Sequence, residues 1–374
     1  MITRITLAVV LFMSPLLFGG AIVNAQSESQ DNQAEAVSVE PSEPALFPVQ
    51  VDGKSGYIDK TGTIVIDPQF DFAWPFSEDL GMMRIGDVEN GKYGYIDRTG
   101  KIVINPQFDE ASSFSEGLSA VRIGGEGRRG FGKWGYIDKT GAIVIDLQFG
   151  WAEDFSEGLA LVEIEGKSGY IDRTGTLVIE PQFDHAGSFS EGLAAVRIGG
   201  EALCGVGEYG YIDKTGAIVI QPQFDSACDF AEGLAGVHIR CKSGFIDKTG
   251  AIAIAPQFGY AWAFSDGLAV VGTWDDVVGR DLFGYIDKTG KIVINPQFDN
   301  ALPFSEGLAS VRIGGEGPLA IGGKSGYIDK TGKFVINPQF DGGHAFSEGL
   351  ACVYIGNKMG YIDKTGEYVW EPSS

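Results

Sequence analysis

Residues 167–198 read KSGYIDRTGTLVIEPQFDHAGSFSEGLAAVRI, and the stretch spells three strands and no helix. The first strand is short, Lys167-Ser168-Gly169-Tyr170-Ile171-Asp172. The D-R-T-G step that follows is a turn: aspartate accepts hydrogen bonds from the backbone ahead of it, and Gly175 supplies the positive φ of a G1 bulge. The second strand, Thr176-Leu177-Val178-Ile179, is apolar at successive positions, which predicts cover on both faces. Pro181 then ends the ladder, because it has no N–H to donate. The third strand, Leu193-Ala194-Ala195-Val196-Arg197-Ile198, alternates: Ala194, Val196 and Ile198 point one way, Ala195 and Arg197 the other.

The same unit recurs from Leu46 almost to the C-terminus. A G-[YF]-I-D-[KR]-T-G heptapeptide places its aromatic at Tyr57, Tyr95, Tyr136, Tyr170, Tyr211, Phe245, Tyr285, Tyr327 and Tyr361. A PQF-type motif and an F-[SA]-[ED]-[GD]-L motif follow each of the first eight at fixed distances. The chain resembles the WG-repeat family, also called KWG repeats, in the G-Y-I-D-K-T-G turn, the I-V-I-x-P-Q-F strand and F-S-E-G-L-A. The name-giving Trp-Gly stands only at Trp134-Gly135; Tyr93, Tyr209, Phe283, Met359 or a serine holds that place elsewhere. The resemblance implies a bacterial repeat protein without known catalytic residues.

The expected fold is therefore all-β, a tandem array of three-stranded antiparallel meanders over residues 46–374. Leu46 to Val51 aligns with the third strand, and the C-terminus supplies only the first two. The N-terminal strand could then complete the last unit and close a propeller-like toroid. Three strands are few for a blade and nine units exceed the usual four to eight, so a curved or superhelical open array is the favoured reading and the closed toroid its alternative.

Length varies in one place only, the connection from the third strand to the next first strand. Long insertions stand at residues 124–133, 199–208, 272–281 and 314–323, all on one edge of the array. Variable loops on a rigid scaffold are where binding sits. Two further candidate surfaces follow from the repeat phase. Arg84, Arg122, Arg197 and Arg312 share one position of the third strand. Stacked, they would make an anion-binding column or pair with the recurrent glutamate of F-S-E-G-L. Trp74, Trp151 and Trp262 follow PQF, and Trp274 lies in an insertion; these rings suit either glycan stacking or core packing.

Hydrophobic residues make up 44% of the chain, enough for a continuous core, and the formal charge of −22 disfavours nucleic acid and anionic membranes as partners. Residues 1–25 read as a secretory signal, with Arg4 before an apolar run and Val23-Asn24-Ala25 at the cleavage point, so that the mature chain starts at Gln26 and has no membrane span. Residues 26–45 are polar and acidic, the composition of a disordered linker. Export permits disulfides, and Cys204–Cys241 is the preferred pair. The repeated turn aspartates need no metal to explain them, and three scattered histidines with no GxSxG, HExxH or P-loop give no catalytic motif or cofactor site. The sequence thus points to a secreted, periplasmic or cell-surface non-catalytic scaffold that binds protein through its loop edge, or alternatively a cell wall or glycan through loop tryptophans.

Overall fold

The computed structural model describes residues 44–124, 132–199, 208–317 and 322–373. Residues 1–43, which carry the signal and most of the linker expected from sequence, lie outside them. Nine small antiparallel sheets follow one another along the chain, and each is continuous in sequence. Blade 1 comprises Phe47–Val51, Lys54–Ile58 and Ile64–Phe70. Blades 2 to 9 each have four strands; blade 5, for instance, is His185–Ala186, Leu193–Arg197, Tyr209–Asp213 and Ile218–Phe224.

The three-stranded meander is thereby corrected in two ways. A two-residue strand lies directly after PQF, pairing His185 with Arg197 and Ala186 with Val196, and is too short to show any periodicity in sequence. The third strand of one sequence unit also pairs across the variable loop with the first strand of the next, as Val196 with Gly210. The blade is therefore cut differently from the repeat. The second strand of the sequence unit becomes the outermost strand of the blade. Cover on both faces was expected there, but Val178 is 43% exposed while Ile179 and Phe183 are buried, because an outer edge strand has a neighbour on one side only.

The nine sheets stand face to face as a nine-bladed propeller, which replaces the favoured open array by its alternative. Each junction repeats one set of contacts. Tyr170 is fully buried against Phe189 of the next blade, ring centroids 4.8 Å apart, and its hydroxyl donates to the Gly187 carbonyl at 2.6 Å. Glu157 adopts a φ of 54°. Its carboxylate accepts the Gly192 N–H at 3.0 Å and pairs with Lys214 at 3.1 Å. The Ser156 hydroxyl donates to the Phe189 carbonyl at 2.7 Å.

The seam between blade 9 and blade 1 repeats the buried tyrosine and the Lys–Glu pair, with Phe47 of the strand itself in place of the phenylalanine that precedes that strand elsewhere. Phe47, Val49 and Ile58 form one buried cluster with Leu350 and Tyr361. The Phe47 and Tyr361 rings lie 5.5 Å apart, and Lys60 pairs with Glu348 at 3.2 Å. The N-terminal strand does not complete the last sheet, as the strand count suggested; it pairs with Lys54–Ile58 of its own blade. Closure is by packing, not strand exchange. An open array would leave Phe47 and Val49 at one end and Leu350 and Tyr361 at the other in water, at about 1.5–3 kcal/mol for each large apolar side chain.

Blades radiate from an axis, so the space between them narrows inward. The two-residue strand has Ala or Gly as its second residue, from Ala111 and Ala152 to Gly343, and it lies on that narrow side. A Cβ added to Gly343 would meet the Tyr327 hydroxyl at 2.7 Å, which shows how close the preceding blade comes.

Candidate functional site

The two edges of the ring differ. On the turn edge, Lys139–Glu78, Lys214–Glu157, Lys248–Glu191, Lys288–Glu232 and Lys364–Glu306 join neighbouring blades in one repeating pattern. The recurrent glutamates are engaged there, so they do not pair with the arginine column. On the opposite edge stand the connections of variable length. The aspartate after PQF anchors their bases: Asp184 accepts the Gly199 N–H at 2.7 Å and pairs with Lys167.

Insertion 272–281 prolongs its blade as a hairpin, Leu268–Asp275 against Arg280–Asp287, with Trp274 opposite Asp281. Val277 at its tip is 93% exposed and Trp274 is 62% exposed. The hairpin is tethered close to its tip by Arg280, which pairs with Asp299 and donates to the Gly315 carbonyl at 3.0 Å. The other three long insertions lie partly outside the described residues.

The arginines are largely withdrawn from solvent. Arg84 is 4% exposed, its guanidinium 4.2 Å from the centre of the Phe72 ring, and Arg122 is 3% exposed and paired with Glu110 at 3.2 Å. Arg197 and Arg312 are partly buried, and Arg312 donates to the Asp341 carbonyl at 3.3 Å. They pack against the short strands and present no open anion stripe at Arg84 or Arg122.

The tryptophans separate into different positions. Trp74 is partly buried against Tyr93, 5.5 Å away, and Trp262 packs against the apolar core. Trp151 is exposed and braced by Trp134 at 5.2 Å. Trp151 begins its short strand, where blades 2 and 7 carry the exposed Phe72 and Tyr260. Those two rings were missed in sequence, although an aromatic two residues after the PQF phenylalanine, at Phe72, Trp151 and Tyr260, was the available signal. Cys241 is an exposed free thiol, as is Cys228, and Cys204 lies outside the described residues.

One break in the nine-fold repetition stands out. Among the described residues blade 1 alone has three strands rather than four, and a cavity of about 240 Å³ lies beside its first strand. Pro48 and Val49 of blade 1, Phe72 and Ala73 of blade 2, and Tyr354 and Met359 of blade 9 line it. Tyr361 differs from the other junction tyrosines. Its hydroxyl donates to the Pro48 carbonyl at 2.9 Å, where Tyr170 and its counterparts reach a carbonyl just after the next blade's short strand.

The family model described as WG containing repeat matches eight times, at residues 56–88, 93–126, 134–167, 169–201, 209–239, 244–272, 283–316 and 326–358. The chain belongs to the WG-repeat family. Its repeats run from the third strand of one blade into the next, so every WG repeat straddles a blade junction. No curated protein matches this WG-repeat chain. Among solved structures, a crystal structure of the eukaryotic initiation factor is similar at 13% identity and a TM-score of 0.63, over 87% of this chain and 95% of that one. That likeness is one of fold. Oligopeptidase B from Trypanosoma brucei, with covalently bound antipain in a closed form, aligns at 8% identity and a TM-score of 0.42, over 89% of this chain and 49% of that one, which is too low to bear on the argument.

Proposed function

We propose that this WG-repeat protein is an exported, non-catalytic scaffold that holds a protein partner on its loop-bearing edge. The supporting observation is the contrast between edges. One is locked blade to blade by repeated Lys–Glu pairs, whereas all length variation and the projecting 272–281 hairpin lie on the other. Binding surfaces tolerate variation where the scaffold beneath them does not.

The test is to shorten all four long insertions to a link like Gly356-Asn357-Lys358, which this chain already uses between two strands. Loop-closure entropy changes by only a few tenths of a kcal/mol for such a cut, so the melting temperature should stay near that of the parent. The variant should lose the envelope protein that the parent retains in a pull-down; retention of that protein would reject the loop edge.

A second reading, glycan or cell-wall binding, rests on Trp151, nearly half exposed and stiffened by Trp134. Binding on a glycan array that disappears in Trp151→Ala would support it. Export predicts a mature protein starting at Gln26, and N-terminal sequencing that finds Met1 retained would reject it.

A further inference from the structure

We propose that the junction of blades 3 and 4 carries a subsite for a neutral pyranose ring, held by stacking on Trp151, by the ammonium of Lys133 and by the carboxylate of Glu163. The proposal rests on the glycan reading above and names the sugar chemistry that reading would take.

This junction lacks a carboxylate that its neighbours have. Lys54, Lys92, Lys167 and Lys324 each pair with the aspartate 17 residues further on, Asp71, Asp109, Asp184 and Asp341. The same count from Lys133 reaches Gly150. Lys133 is exposed and has no ion pair or hydrogen-bond partner among the described residues. Gly259 is the other glycine at this place, and there the chain supplies a substitute: an Asp281 carboxylate oxygen lies 2.9 Å from where a Cβ would stand. At Gly150 a Cβ would meet only the Glu163 carbonyl at 3.4 Å and the Glu163 carboxylate at 3.6 Å, both ordinary contacts. Nor does Gly150 adopt a positive φ. The backbone therefore does not demand glycine here, and its effect is to leave open the space between Lys133 and Glu163.

Trp151 borders that space. It follows Gly150 and stands directly opposite Glu163 across the sheet. Its ring is 46% exposed and is braced from below by the buried Trp134. Trp134 is the one tryptophan that precedes the strand glycine, and Glu163 is the one acid at a place held elsewhere by arginine, glutamine, histidine, glycine or tyrosine. An indole face suits the C–H face of a sugar ring. Of two adjacent sugar hydroxyls, one can accept from an ammonium while the other donates to a carboxylate. Charge selects the ring further. Lys54 and Lys167 hold the carboxyls of Asp71 and Asp184 below the usual range, and the charges of Arg84 and Arg197 add to the effect. At the junction of blades 3 and 4 Glu163 stands in the place of that arginine, so an acidic sugar would be opposed by it and a cationic one by Lys133. A neutral ring meets neither objection.

The probe is cellotetraose, a neutral glucan with adjacent equatorial hydroxyls, titrated into the full chain and followed by calorimetry. Saturable binding is expected, and Trp151→Ala should abolish it. Lys133→Ala and Glu163→Gln should each weaken it about tenfold, the loss of one hydrogen bond to a charged group. Lys324→Ala, at a junction that keeps its aspartate, should leave it unchanged. Gly150→Asp installs the aspartate of the other junctions beside Lys133; it should abolish binding and melt no lower than the parent. The C6-carboxylate form of the tetrasaccharide should bind at least about tenfold more weakly. The proposal is overturned if cellotetraose does not bind, if the carboxylate form binds equally, if Gly150→Asp folds and binds as the parent does, or if Lys133→Ala and Glu163→Gln both keep the parent affinity. If it is overturned while another glycan on the array still requires Trp151, the glycan reading stands without this subsite; if no glycan requires Trp151, both fall.

Discussion

At the residue scale, one glycine explains half of the family's name. The Gly of G-Y-I-D sits where the outer strand bulges across it, and a Cβ at Gly169 would lie 2.6 Å from the Ile179 carbonyl oxygen, with backbone of Pro181 close behind. Gly56, Gly94, Gly135 and Gly284 meet the same obstruction at 2.4–2.5 Å. The tryptophan before it is dispensable, because that side chain only fills the blade face and serine, tyrosine or phenylalanine can stand there. Gly169→Ala should therefore destabilise the protein by about 1–3 kcal/mol, since the obstruction is backbone and cannot rotate away. Gly342→Ala, whose nearest neighbour would be a Tyr354 ring atom at 3.5 Å, should stay within about 0.5 kcal/mol of the parent. Equal urea midpoints for the two variants would contradict this. The turn aspartates were legible in sequence for an equally local reason: Asp172 accepts the Thr174 N–H, the Thr174 hydroxyl and the Thr176 N–H within five residues.

At the scale of the element, the segment that follows the short strand packs into the junction with the neighbouring blade. Its residues, up to the following phenylalanine, include Glu153, Asp154 and Asp229. Ser188 donates to Glu153 across a blade junction at 3.0 Å. Burial pushes the carboxyls of Asp154 and Asp229 up to about 6, and the charge of Glu153 adds to both shifts. Between the ordinary 3.8 and about 6 the folded protein holds protons that the unfolded chain has released, so this contribution to stability falls as pH rises through that window. Asp154→Asn should accordingly raise the melting temperature above that of the parent at pH 7.5, with the gain shrinking as pH falls to 4. A gain of the same size at both pH values would show that the carboxyl is not the cause. Nothing in the sequence marked these carboxylates, because their burial comes from neighbouring blades.

At the scale of the whole molecule, the ring closes through a junction whose two sides are about 300 residues apart in sequence yet which keeps the Lys–Glu pair and the buried tyrosine of the others. A zero-length carbodiimide cross-linker should join Lys60 to Glu348, which lie 3.2 Å apart, as readily as it joins Lys214 to Glu157. Mass spectrometry that finds the second amide and never the first would reopen the ring. Among the described residues, the one sheet with three strands rather than four, that of blade 1, lies at this seam.

The sequence by itself determined the repeat, its all-β character, the aspartate–glycine turns and the edge on which length varies. All of these are set within a few residues of one another, or by counting. Only the tertiary structure decided that the array closes, that a fourth strand exists, that Val178 and its counterparts are exposed and that Arg84 and Arg122 are buried. Each of these depends on which face of one blade meets which face of the next, and two-residue strands, junctions between blades and the two ends of a chain leave no periodic mark in sequence.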